Sequence, residues 1–223
     1  MMTKTINCLD KEVSTEEVVI EKIFDVFDGS KYKRVLLINP QQFPYDLLNI
    51  TIVKNKRYYA YPPYGLGLLC ANLKKRDYDV SIIDLNAQVL EYIHDFEADG
   101  FGNEQRNLSP SSISKFWKGV VRNSISKFKP DLVGLTCTFT MSHEITIKVA
   151  ELIKSIDMDL PIIAGGVHIS NASEIFLKEG PSVDFVIRYE ADKSFCDFLD
   201  FVNGKVSKDN LSQIGTMVNG EYK

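Results

Sequence analysis

Cysteine is scarce and scattered. Cys8, Cys70, Cys137 and Cys196 each stand alone, so no pair has the spacing of a zinc knuckle or a redox dithiol. With no secretory leader in view, they are expected to be free thiols in a reducing cytoplasm. No apolar run approaches the roughly 20 residues needed to cross a bilayer. Basic residues do not dominate either. The 26 Lys and Arg against 30 Asp and Glu give a formal net charge of -4, the wrong sign for a general nucleic-acid binder. Much of that imbalance lies in the first thirty residues, where seven acids face three lysines. The three histidines, His94, His143 and His168, have no metal-ligand spacing among them. A P-loop is missing, and Asn39-Pro40-Gln41-Gln42 stands where a dinucleotide site would carry its glycines. Asp84 ends the second strand, where a ribose-binding acid would sit, but it has no glycines to work with. No acidic pair of the phosphorelay type follows the first strand.

What is present suffices for a real core. The chain has 223 residues, 44% of them apolar, enough for one domain of about 150–200 residues with appendages. Ser14 with Glu17 has the register of a capping box, and Val18, Val19, Ile23 and Phe27 form a helical stripe behind it. Residues 1–30 therefore read as a helical appendage. Arg34–Asn39 is short, apolar and partly β-branched, the mark of a strand buried on both faces. Further strands are expected at Val80–Asp84, Leu132–Leu135, Leu160–Ala164 and Val183–Ile187. Helices are expected over Tyr64–Arg76, Asn86–Phe96, Ile113–Phe128, Ser142–Ile156 and Ala172–Lys178, with a last one carrying Phe195, Phe198, Leu199 and Val202. Residues 204–223 carry little pattern beyond a hairpin signal at Asn219-Gly220. Strand and helix alternate five times. That predicts an α/β fold with a parallel five-stranded sheet in the order 2-1-3-4-5, helices on both faces, and a ligand over the carboxyl ends of the strands.

Several segments converge on that edge. Pro62-Pro63-Tyr64-Gly65-Leu66-Gly67 closes a long connection over residues 40–61, and a connection of that length inside a compact domain points to ligand contact. Tyr58, Tyr59, Tyr61 and Tyr64 either cover the sheet edge or wall a site for a large planar group. Lys54-Asn55-Lys56-Arg57 reads as solvated surface. Gly165-Gly166 is either a tight turn or a place where backbone N–H groups meet a ligand. Thr136, Cys137, Thr138, Arg188, Tyr189 and Glu190 lie at neighbouring strand ends. His168 can cap, touch a ligand or serve an adjoining domain, but as a hydrolytic base it has no nucleophile.

In order and spacing, Leu36–Pro40, Tyr61–Leu69, Asp79–Asp84, Pro130–Thr136, Ile162–His168 and Val183–Glu190 make the chain resemble the N-terminal cobalamin (B12)-binding domain of B12-dependent radical S-adenosylmethionine enzymes. The resemblance covers about residues 33–203 and implies a flavodoxin-like fold that holds cobalamin over the strand ends. On this chain it implies a cofactor site of Asn39, Pro40, Gln41, Pro63, Tyr64, Gly65, Thr136, Cys137, Thr138, Gly165, Gly166, Val167, His168, Arg188, Tyr189 and Glu190. Residues 204–223 then form a linker or the start of a missing radical domain. The Asp-x-His-x-x-Gly loop that ligates cobalt in other B12 proteins is absent, so no protein histidine is expected on the metal. The Cys-x-x-x-Cys-x-x-Cys motif that holds a [4Fe–4S] cluster is also absent. The cluster and S-adenosylmethionine are expected in a missing domain or partner, a radical barrel in cis or in trans. The chain alone is expected to be inert, and its parent a methyltransferase or a related radical enzyme; the alternatives are a standalone cobalamin carrier or sensory module and a nucleotide-binding α/β enzyme.

Overall fold

A computed structural model describes residues 14–27, 29, 31–43, 52–53, 62–95 and 109–223. Its centre is β1 (Arg34–Asn39), whose four middle residues are all buried. β1 pairs in parallel with β2 (Asp79–Asp84) on one side and β3 (Leu132–Thr136) on the other. β4 (Ile162–Gly165) and β5 (Phe185–Ile187) continue the parallel sheet. The order is the expected 2-1-3-4-5, with one addition. Ile214–Gly215 forms β6, which pairs antiparallel with β5 and covers an edge that would otherwise be open. Two residues are too few to show a hydrophobic period, so periodicity does not reveal it. β7 (Met217–Val218) and β8 (Glu221–Tyr222) form a separate hairpin. Its turn residues Asn219 and Gly220 have φ of 51° and 81°, the left-handed pair that a two-residue hairpin loop needs.

Side chains alternate across the sheet and divide the core in two. Leu36 and Ile38 enter one layer with α3 (Leu85–Asp95), α4 (Pro110–Phe128), α5 (His143–Ile156) and α6 (Val167–Glu179). Val35 and Leu37 enter the other with α1 (Thr15–Val26), α2 (Tyr64–Lys75) and α7 (Ala191–Val202). α1 starts at the capping box of Ser14 and Glu17 and buries Ile23. Its C-cap Phe27 packs on Tyr32, Phe185 and Phe198 with ring centroids 4.7, 6.0 and 5.5 Å away. Burial of each such ring is worth about 2–3 kcal/mol.

α2 and α7 are also joined by charge. Arg76 Nη1 meets Asp197 at 2.7 Å and Asp200 at 2.8 Å, and Tyr78 donates its hydroxyl to Asp200 at 2.7 Å. Burial opposes the charge on Arg76, but its bonds to Asp197 and Asp200 outweigh that and raise its pKa. The pair α2/α7 is therefore tied by charge at the end away from the strand termini. Among the described residues no helix is long and apolar enough to cross a membrane.

One element departs from expectation. A short helix over Ala172–Lys178 was anticipated, yet α6 begins at Val167 and is kinked at Ala172 (φ -136°). Gly166, at φ 115° and ψ 172°, turns the chain directly from β4 into the helix. That conformation is nearly exclusive to glycine.

Candidate functional site

The register sets the strand ends level: Asn39 beside Asp84, Thr136 beside Gly165, and Gly165 beside Ile187. Above them, between α2 and the start of α7, opens a cavity of about 640 Å³, within the range of roughly 300–1,000 Å³ usual for small-molecule sites. Its floor is Leu37, Gly134, Ile163 and Ala164, and its walls include Leu66 and Leu69 from α2 and Phe195 from α7. Gly134 and Ala164 keep the middle of the floor low. A methyl group on Gly134 would approach Leu37 Cδ2 to 2.7 Å. At Gly166 it would approach the Cys137 carbonyl oxygen to 2.6 Å.

Most of the residues singled out from sequence line this groove. Asn39, Pro40, Pro63, Tyr64, Gly65, Thr136, Thr138, Gly165, Gly166, Val167, Tyr189 and Glu190 all do. Four do not. Gln41 is 2% exposed and buried beside the groove, and its neighbour Gln42 takes the lining position. Cys137 is fully buried, because the alternation that turns Thr136 and Thr138 upward turns it into the other layer. Burial raises its thiol pKa, against weaker lowering bonds from Thr146 and Ser142. His168 turns aside toward His143. Arg188 lies under the rim and donates from Nη2 to the Tyr189 hydroxyl at 2.7 Å. Tyr58, Tyr59 and Tyr61 lie outside the described residues.

The rim is shaped by two hydrogen bonds. Tyr189, at φ 58°, donates its backbone N–H to Ser170 Oγ at 2.7 Å, which joins the end of β5 to the first turn of α6. Arg188 donates its N–H to the Gln213 carbonyl at 2.9 Å, so the segment before β6 also supports the rim. Tyr64 (79% exposed) and Tyr189 (60%) stand on opposite sides of the opening. Asn39 Nδ2 donates to Asp84 Oδ1 at 2.9 Å and is held there. Glu190 and Asp192 are the charged residues of the lining; no lysine or arginine belongs to it among the described residues.

Sequence reasoning missed Phe139, Asn171 and Ala191, which line the groove together with Ser170, a residue the resemblance had already set near the ring. Ser170 and Asn171 follow Val167 by three and four residues, so the helix start at Val167, had it been recognised, would have placed them. Leu66, Leu69 and Phe195 serve both the core and the groove.

The architecture is that of an α/β domain with a ligand groove at the carboxyl edge. Residues 112–199, from α4 into α7, match the family model of the B12 binding domain. That stretch of the chain is similar to a B12-binding domain. It is 30% identical over 190 residues to cytidylyl-2-hydroxyethylphosphonate methyltransferase of Streptomyces wedmorensis, covering 82% of this chain and 31% of the relative. It is 30% identical over 139 residues to an uncharacterized methyltransferase of Pyrococcus horikoshii, covering 62% of this chain and 24% of the relative. Thus it spans less than a third of the length of these relatives. The fold is shared with the cobalamin-dependent S-adenosylmethionine radical enzyme OxsB. The structure of that enzyme with aqua-cobalamin and S-adenosylmethionine bound superposes with a TM-score of 0.56 at 20% identity, over 86% of this chain and 22% of that one. Its apo form gives 0.52 at 18% identity, over 97% of this chain and 25% of that one.

Proposed function

We propose that this chain is the cobalamin-holding part of a B12-dependent radical S-adenosylmethionine methyltransferase. The observation that carries the reading is the groove itself: apolar, with Gly134 and Ala164 in its floor, and open at the sheet edge of a fold whose residues 112–199 match the B12 binding domain. Such a groove suits the extended nucleotide tail of cobalamin, with the wider corrin outside between Tyr64 and Tyr189. When bound, cobalamin supplies a methyl carrier at cobalt; the protein supplies position and exclusion of water.

The chain's own residues divide that work. Leu37, Leu66, Leu69, Ile163 and Phe195 keep water from the buried end of the ligand. Thr136 and Thr138 offer hydroxyls at the strand ends, where a tail carries ribose and phosphate oxygens. Free nucleotides with several phosphates are a poorer match, since no cationic side chain lines the groove among the described residues. No histidine belongs to its lining among the described residues. Cys70, Cys137 and Cys196 are free and separately buried on different segments, so the iron–sulfur cluster and S-adenosylmethionine belong to another domain or partner. In this reading α1 and residues 204–223 support the binding domain from either end.

Incubation of the purified chain with hydroxocobalamin, followed by gel filtration and a visible spectrum, tests the reading. Corrin absorbance co-eluting with protein at one equivalent supports it. Complete loss of the corrin during filtration refutes it.

A further inference from the structure

Outside the groove lining, three titratable groups stand in a line. His143 Nδ1 is 2.7 Å from His168 Nε2, and His143 Nε2 is 3.0 Å from Glu179 Oε2. The two imidazoles meet edge to face with centroids 5.0 Å apart, and Phe176 closes on His143 at 5.1 Å. His143 is 17% exposed and Glu179 61%. His143 opens α5 and His168 is the second residue of α6, and each helix follows a groove-lining loop. Ser142 and Phe139 precede His143 on one side; Gly166 and Val167 precede His168 on the other.

The chemistry of the donors fixes where the hydrogens are. A carboxylate only accepts, so His143 Nε2 carries a hydrogen toward Glu179. Neutral His143 then presents a lone pair at Nδ1, and the hydrogen between the rings belongs to His168 Nε2. One added proton is tolerated. It enters at the bare His168 Nδ1, and movement of the bridging hydrogen to His143 brings the positive charge against Glu179. A second added proton puts N–H on both facing nitrogens, and the bond between the rings is lost.

We propose that Glu179, His143 and His168 form a brace that sets the distance between the β3–α5 loop and the start of α6, and that it holds with at most one added proton. The brace rests on the reading of the groove as the cobalamin site, and its residues are positioning residues for that ligand. The surrounding groups fit this role. Burial, and then His143 itself, lower the pKa of His168 below 6.5, and the start of α6 opposes positive charge there as well. Glu144 pairs with Lys148 and Glu174 with Lys178 along their own helices. Glu179 is thus the carboxylate that meets the pair. On the β3 side the Cys137 carbonyl accepts the His168 backbone N–H at 3.2 Å, and the buried Cys137 thiol contacts Ser142.

Two variants separate the brace from mere packing. His143→Gln keeps an acceptor toward His168 and a donor toward Glu179 but cannot titrate; His143→Ala removes both. Hydroxocobalamin affinity is measured for the full chain at about pH 8 and about pH 5, with circular dichroism as the check on folding. Wild type is expected to bind about 5–10-fold more weakly at the lower pH, the loss of one to two hydrogen bonds. His143→Gln should stay within about 2-fold of wild type at the higher pH and lose the acid sensitivity, while His143→Ala should be about 5–10-fold weaker at both. Imidazole nitrogen NMR of the cobalamin-free chain gives an independent readout: both rings as Nε2–H tautomers, titrating in two coupled steps. Independent titration of the two rings, or His143→Ala binding like wild type, overturns the proposal. A chain that retains no cobalamin at either pH refutes the functional reading, and the NMR result then decides whether the brace exists.

Discussion

Gly166 and Cys137 touch through their backbones: a methyl group on Gly166 would lie 2.6 Å from the Cys137 carbonyl oxygen, the same oxygen that accepts the His168 N–H. The strand end of β3 and the entry to α6 are thereby one structural unit. Gly166 also holds φ at 115°, where an L-residue is strained in any surroundings. Gly166→Ala is expected to cost about 2–4 kcal/mol in urea unfolding and to abolish cobalamin retention. An unchanged urea midpoint would show that the turn relaxes without cost.

The network around Arg76 makes an acid-stability prediction. Burial opposes the charge of Asp200, but hydrogen bonds from Tyr78, Arg76 and Lys205 prevail and hold its pKa below 3.8. Asp197 is likewise held down, by Lys193 and Arg76 against burial. Lowered carboxyl pKa values mean that the folded state resists protonation. Their contribution is whole above pH 3.8 and is lost as pH falls through the lowered folded values. Asp200→Asn should cost about 1–3 kcal/mol at neutral pH, and the gap to wild type should narrow only below pH 3.8 in urea titrations.

The fold was largely legible, and the reasons are local. Val35–Ile38 and Ile162–Ala164 are continuous apolar runs because a central parallel strand is buried on both faces. Ser14 and Glu17 announce a helix start by spacing alone. The groove was legible only as a set of strand ends. Which face of the sheet it opens on depends on how α2 and α7 diverge, and that is a packing outcome between residues more than a hundred positions apart. Cys137 shows the limit: it lies between two lining residues and points away from the site. The meeting of His143 with His168 and Glu179 is likewise tertiary, since neither spacing nor composition relates the start of α5 to the two ends of α6.

The C-terminal segment is predicted to be integral to the domain. Thr216 is fully buried and donates its hydroxyl to the Asp184 carbonyl at 2.7 Å, and its backbone pairs with Lys223. Thr216→Val should cost about 1 kcal/mol. Truncation after Asn203 removes β6 and should lower the thermal midpoint further than Thr216→Val does. Equal midpoints for the truncated and full chains would reduce this segment to a linker.

Ala191 opens α7 and lines the groove. Its replacement by Trp fills space that a ligand would occupy and leaves the sheet untouched. Ala191→Trp is expected to weaken hydroxocobalamin binding by at least about 10-fold in equilibrium dialysis, about 1.4 kcal/mol, with little change in thermal midpoint. Full affinity in this variant would place the ligand elsewhere.

A crystal structure of the chain grown with hydroxocobalamin, with anomalous data collected at the cobalt edge, tests the central claim most directly. The account predicts one cobalt peak at the mouth of the groove between Tyr64 and Tyr189, with tail density running inward past Thr136 and Gly165. A cobalt peak away from this edge, with the groove free of corrin density, would contradict it.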